Sequence, residues 1–245
     1  MLKQRRKREK ENMLGDVGML RRSMLAIMCL LAAGTSVRAA GDAPAASTAP
    51  AAAKPVTAME QPLQGDFWIY EVRDEIIGKV SAIRKHIVTE VSPTEISIRV
   101  TTEGKDSQGL IVYDRSWNIK NAGEWTYQPG DGSGIRSPLK VGDSWNFSGD
   151  DVNSSKGNIW KRSGHSKVVG QETITTKAGA FETYKIEITL SRRPTNDPTH
   201  KTDITAEVWY APAIDHWVKR TFVSRGNGHL LASNVLELVE YGRKN

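Results

Sequence analysis

The chain has 245 residues, with 34 Lys and Arg against 28 Asp and Glu, a net charge of +6 and a single Cys. A basic balance of that kind ordinarily points to an anionic partner, but nine of the basic and only three of the acidic residues fall in residues 1–39, which leaves 25 of each in the remainder. That near-neutral remainder excludes nucleic acid as an expected partner. Because Cys29 is also N-terminal, the rest has no disulfide, thiolate nucleophile or cysteine metal ligand.

Residues 1–39 read as an export signal. A short basic region, Met19-Leu20-Arg21-Arg22-Ser23, precedes ten apolar residues (24–33), and Val37-Arg38-Ala39 forms the cleavage context. Cleavage is expected after Ala39, with Ala40 as second choice. Translation starting at Met13 or Met19 gives a better-proportioned leader. Arg21-Arg22 partly fits a twin-arginine signal, but weak flanking residues favour the general secretory route. Met28 before Cys29 argues against lipidation. The apolar run is shorter than the roughly 20 residues that cross a bilayer, so no stable transmembrane anchor is expected. The expected location is periplasmic or secreted.

Residues 40–61 form an Ala/Pro-rich linker, "GDAPAASTAPAAAKPVTA" within it, too poor in apolar side chains to offset its own ordering entropy. Residues 62–245 read as one β-domain of a size that supports a real core. Their period is two. "EISIRVTT" alternates Ile96, Ile98 and Val100 with Ser97, Arg99 and Thr101, and "TYKIEITL" sets Tyr184, Ile186, Ile188 and Leu190 against Lys185, Glu187 and Thr189. The same pattern predicts strands over 67–72, 79–91, 110–113, 124–127, 144–147, 159–169, 172–176, 204–210, 217–224 and 229–241. Turn signals separate them, among them Ser92-Pro93, Pro129-Gly130-Asp131-Gly132 and Gly226-Asn227-Gly228. About a dozen strands with short connections make an all-β, antiparallel up-and-down meander, curled into a curved open barrel or a sandwich.

Three segments occur in order: "PLKVGDSWNF" (138–147), "VVGQETITTKAGAFETYKIEIT" (168–189) and "EVWYAPAIDHWVKR" (207–220). Their succession resembles the DUF3108-like families of exported, uncharacterised bacterial proteins over residues 65–241. The resemblance implies a curved antiparallel sheet in the periplasm or envelope and transfers no catalytic residue. Ile214-Asp215-His216 departs from it, standing where a small residue or glycine is commoner.

Spacing supports no reaction centre. His86, His165, His200, His216 and His229 have no partner at i+2 or i+4, and no metal or other cofactor is expected. "DDVNSSKGN" places Asp151, Asn153 and Ser155 like calcium ligands, but its glycine comes late and Arg162 stands where a bidentate acid is needed. That segment reads as a solvated polar loop. Ser133 lacks the surroundings of a nucleophile elbow, and Asp215 and His216, as neighbours in an extended segment, point to opposite faces. In 217–220, Trp217 and Lys219 are expected to oppose Val218 and Arg220.

The aromatics carry the strongest sign of binding: seven Trp and six Tyr, on strands that favour them for packing and can also offer them to a ligand. Trp117 and Trp125, beside Ser116, Asn118, Asn121 and Glu124, are the least core-like. With Trp160 and Tyr127 they are the candidate ligand-binding residues. The reading is a non-enzymatic envelope β-domain binding an apolar or glycan ligand, a lipid, or an envelope protein partner. The alternatives are a polysaccharide hydrolase using a pair such as Glu124 and Asp114, and a purely structural assembly component.

Overall fold

The computed structural model describes residues 58–106 and 108–243. The export signal and most of the Ala/Pro-rich linker lie outside them. Twelve strands occur among the described residues: β1 (Phe67–Asp74), β2 (Lys79–Val91), β3 (Glu95–Thr102), β4 (Gln108–Asp114), β5 (Ile119–Ala122), β6 (Trp125–Gln128), β7 (Ser144–Asn153), β8 (Asn158–Thr176), β9 (Gly179–Pro194), β10 (Thr202–Ala211), β11 (His216–Gly226) and β12 (His229–Gly242). A 3₁₀ turn, Pro212–Ile214, joins β10 to β11. Each strand pairs antiparallel with its sequence neighbours, and β1 also pairs with β12 from Phe67↔Gly242 to Asp74↔Asn234.

That last pairing corrects the expected open barrel or sandwich: the barrel is closed. The long alternating run of β12 matches the full length of β1, so the two edge strands satisfy each other's free N–H and C=O groups. A bidentate ion pair fastens the seam. Arg243, just after β12, donates from Nε and Nη2 to the fully buried carboxylate of Asp66, just before β1, at 2.9 Å each. The Asp66 carbonyl accepts from Val88 N, tying β2 to the same point.

The expected count of a dozen is met by two compensating differences. Segments 159–169 and 172–176 are one strand, β8, because Gly170 sits at a bulge (Val168↔Ile186, then Gly170↔Lys185) and not at a break. The short β5 is additional. It has no alternating apolar signature and is held by β4 on one side and β6 on the other.

The β6–β7 connection runs beside residues 116–119. Asp131 N donates to Ile119 O, Gly134 N to Asn118 Oδ1 and Ile135 N to Ser116 O. Its seat depends on close approach around Phe147. A Cβ on Gly132 or on Gly164 would stand 2.1 or 2.3 Å from that ring. Gly164→Ala, whose backbone angle any residue can adopt, is therefore expected to destabilise the barrel by about 1–3 kcal/mol through overpacking, read as a lower urea midpoint with an unchanged slope.

Candidate functional site

Residues paired directly across the ladder share a face, so the lumen wall can be followed from strand to strand. Its two halves differ. At the end where β1 begins and β12 finishes, the lumen is filled by an aromatic plug of Trp68, Tyr70, His86, Tyr113, Trp117, His216 and Trp217, all buried. His216 lies at the centre, its ring centroid 3.7 Å from Trp217, 4.1 Å from Trp68 and 4.6 Å from Trp117. Met59 and Ile214 close the plug from outside, with Met59 N donating to Ala213 O.

Trp117 is thus core, which corrects its expected exposure: it is 2 % exposed. Asp114 forces it inward. That carboxylate accepts from Ser116 N and Asn118 N, and the tight turn puts Trp117 at φ 62°. The Trp117 indole N–H donates to Asp215 Oδ1, which also accepts from the Tyr210 hydroxyl at 2.6 Å. Asp215, at φ 44°, is therefore a bracket between the β4–β5 and β10–β11 connections. The expected alternation of 217–220 also fails. A bulge opposite Trp209 and Tyr210 leaves Val218 as the extra residue and turns Trp217 into the lumen, where the Arg220 guanidinium lies 6.0 Å from its ring.

Toward the opposite end the lumen is not filled. Side chains on the inward register there, including Val100, Ile111, Tyr127, Trp160, Arg192 and Leu236, are only half-buried. A cavity of about 240 Å³ lies in this half. Its apolar wall is Ile119, Ile188, Leu190, Ile204, Ala206 and Phe222, and its polar wall is Tyr127, Asp131, Ser133, Asp151, Arg162, Arg192 and Arg220. Most of the exposed large apolar side chains, Ile76, Ile77, Val80, Leu230 and Leu231 among them, lie on or beside the turns of this end.

Asp151 orders the polar wall. Its Oδ1 accepts from Arg162 Nη1, and its Oδ2 lies 4.0 Å from Arg192 Nη1. Arg162 Nη2 also donates to Gly130 O at 2.5 Å. The Arg162 guanidinium stands 5.4 Å from the Tyr127 ring and that of Arg192 5.1 Å from the Trp160 ring, within cation–π range. Burial pushes both guanidinium groups below the usual arginine range. Asp131 accepts from Ile119 N and from both the amide and the hydroxyl of Ser133, yet burial outweighs these bonds and raises its carboxyl. Three guanidinium groups thus face one paired carboxylate and one carboxyl pushed toward its neutral form.

Of the four candidate residues, Tyr127 lines the cavity, Trp160 lies under Arg192, and Trp125 shares the inward face with Tyr127 two residues away. Trp117 is not among them. Glu124 and Asp114 lie at opposite ends of the barrel, one on the β5–β6 turn and one at the end of β4. The segment read as a solvated calcium-like loop is also corrected: Asp151 and Asn153 are buried at 1 % and 4 %, since both fall on the inward register of β7. Among the described residues, no group of three His, Cys, Asp or Glu could hold a metal ion, and no helix is long and apolar enough to cross a membrane.

The arginines were not singled out from the sequence, although a signal was present. The inward alternation Ile186, Ile188, Leu190 continues to Arg192, and that of Val168, Ser166, Gly164 runs back to Arg162.

No family model matches the chain, and comparison with curated proteins finds no match. Solved structures do resemble it. The fold is shared with a proposed lipoprotein from Parabacteroides distasonis, at a TM-score of 0.52 and 14 % identity over 76 % of this chain and 99 % of that one. Weaker likenesses are to a proposed exported protein with a YmcC-like fold from Bacteroides fragilis (TM-score 0.48, 14 % identity, 76 % of this chain and 100 % of that one) and to the hypothetical lipoprotein YmcC from Escherichia coli (0.42, 8 %, 76 % and 88 %).

Two measurements check this geometry. Asp151→Asn leaves the Arg162 charge buried without its counter-ion and is expected to cost about 3–5 kcal/mol in urea unfolding. The plug histidines make stability pH-dependent. Burial holds His216 well below the ordinary imidazole value and His86 down to about 4. The unfolded chain therefore binds protons that the folded one refuses. This contribution is fully present above about pH 6.5 and is lost at about 1.4 kcal/mol per pH unit per histidine as pH falls toward 4. Asp131 and Asp215, whose carboxyls burial raises, act with the opposite sign above pH 3.8. Both carboxyls remain in His216→Leu, so the difference in slope between wild type and that variant, measured from pH 7.5 to 5, is expected to equal one histidine.

Proposed function

We propose that this chain is a non-enzymatic periplasmic or envelope β-barrel, akin to the exported DUF3108-like proteins, that binds a small ligand in the unfilled half of its lumen. On this reading the leader is removed after Ala39 and residues 40–61 tether the barrel. The observation that carries the reading is the half-filled lumen itself. A core selected for stability alone is packed throughout, whereas here an aromatic floor ends at a cavity lined by both apolar and charged side chains. Concave sites with apolar walls and a few convergent polar groups are where small molecules bind. A volume of about 240 Å³ suits a small molecule or a head group, not a polysaccharide chain. The apolar side chains around the turns of that end would favour entry of a ligand with an apolar part.

Native mass spectrometry of the protein purified from its own envelope tests this. Wild type is expected to carry a small-molecule adduct that Ala206→Phe, which fills the cavity from its apolar wall, lacks. Wild type that flies only at its bare mass, like the variant, overturns the reading.

A further inference from the structure

The polar wall narrows the class of ligand, taking as its premise the reading that the lumen binds one. We propose that the cavity takes a small organic anion, an oxyanion head on a short apolar body, with Arg192 and Arg220 as the groups that hold the head and Arg162 as the fixed guanidinium beside them.

The three arginines are not equivalent. Arg162 is committed: its side chain is 2 % exposed, it pairs with Asp151, and it donates to Gly130 O. Arg192 reaches Asp151 only at the outer limit of an ion pair, 4.0 Å. Among the described residues the Arg220 guanidinium has no hydrogen-bond partner; it lies 6.0 Å from the Trp217 ring and interacts with the Asp131 carboxyl through space only. The Nε of all three is buried and unpaired.

Arg220 is half-buried with its Nε fully buried and unpaired; a buried donor left without an acceptor costs stability that an apolar side chain of similar volume would not lose. Arg220 stands beside Phe222 and Ala206, where a Met or Leu would pack. Its presence is accounted for if a carboxylate or phosphate oxygen completes its hydrogen bonds. Guanidinium is the side chain best matched to those heads, because its fork can donate two parallel bonds to one oxyanion. Between Arg192 and Arg220 along β9, β10 and β11 lie Leu190, Ile204, Ile188 and Phe222, which offer nothing to a second charge and suit a short alkyl or aromatic body. The recognised feature is therefore an oxyanion, whether carboxylate or phosphate, with apolar surface attached.

Isothermal titration calorimetry of the full-length mature protein, stripped of adducts by unfolding and refolding, provides the test. The probes are hexanoate, hexyl phosphate, 1-hexanol and hexylammonium. Hexanoate or hexyl phosphate is expected to bind at least tenfold more tightly than hexanol, with hexylammonium showing no binding, and the tighter of the two anions identifies the head. Arg192→Gln and Arg220→Met are each expected to weaken the anion tenfold or more. Arg220→Met is also expected to leave the thermal midpoint of the ligand-free protein unchanged or higher, which separates a binding arginine from a structural one. Hexanol binding as tightly as the anions overturns the oxyanion assignment and leaves the lumen as an apolar site. Anion binding that neither substitution weakens overturns it as well. Absence of binding by every probe overturns the assignment; whether the lumen holds any ligand is then read from the native adduct and its loss in Ala206→Phe.

Discussion

The constraint on which everything else depends is the circumference of the sheet. A barrel of about eight strands has an interior that its own side chains can fill, and a much larger one leaves an open channel. Twelve strands, closed by the pairing of β1 with β12, fall between. Aliphatic side chains of the kind that face inward on β3 and β9 do not reach across such a lumen. The chain meets the difficulty in two ways, one at each end.

At the end where β1 begins it uses large rings. Five of the seven members of the plug come from the neighbouring pair β1 and β2 and from the start of β11, and a sixth, Trp117, arrives from a connection and not from a strand. Asp114 bends that connection, and Asp215 holds the indole by its N–H. His216 fills the space among three tryptophans with both ring nitrogens unpaired, so it behaves as a flat apolar disc whose protonation the site resists. The segment from Asp215 to Trp217, at the junction of the 3₁₀ turn and β11, is therefore a structural keystone for the plug, although its Asp-His pair has the look of reactive chemistry.

At the other end the inward face changes character along single strands. On β9 the series Ile186, Ile188, Leu190 reaches Arg192, and on β11 the inward residues after Trp217 include Arg220 and Phe222. A solvated carboxylate could neutralise such cations at little cost, but Asp151 is buried and already engaged with Arg162. The surplus positive charge and the apolar wall meet at one cavity. It is that coincidence, more than the number of aromatics, on which the proposed ligand class rests.

The alternation of single residues made most of the strands legible from sequence, because a two-residue period follows directly from the pleat, and the turn residues marked most of the reversals. The same alternation placed Tyr127, Trp125 and Trp160 on strands without saying which face each took. It misled wherever a bulge intervened: Gly170 looked like a break, and Val218 displaced Trp217 to the opposite face. It was silent on Trp117, whose polar neighbours resemble those of an exposed loop while the turn they build drives the ring inward.

By itself the sequence determined an antiparallel all-β domain of about a dozen strands, because period and turn chemistry are local properties of the chain. Tertiary structure alone decided closure, the division of the lumen into plug and cavity, and the meeting of Asp151, Arg162, Arg192 and Arg220 from three neighbouring strands and one on the far side of β10. Those depend on registers between segments as far apart in the chain as β1 and β12, and register is set by pairing across the whole ladder and by where its bulges fall.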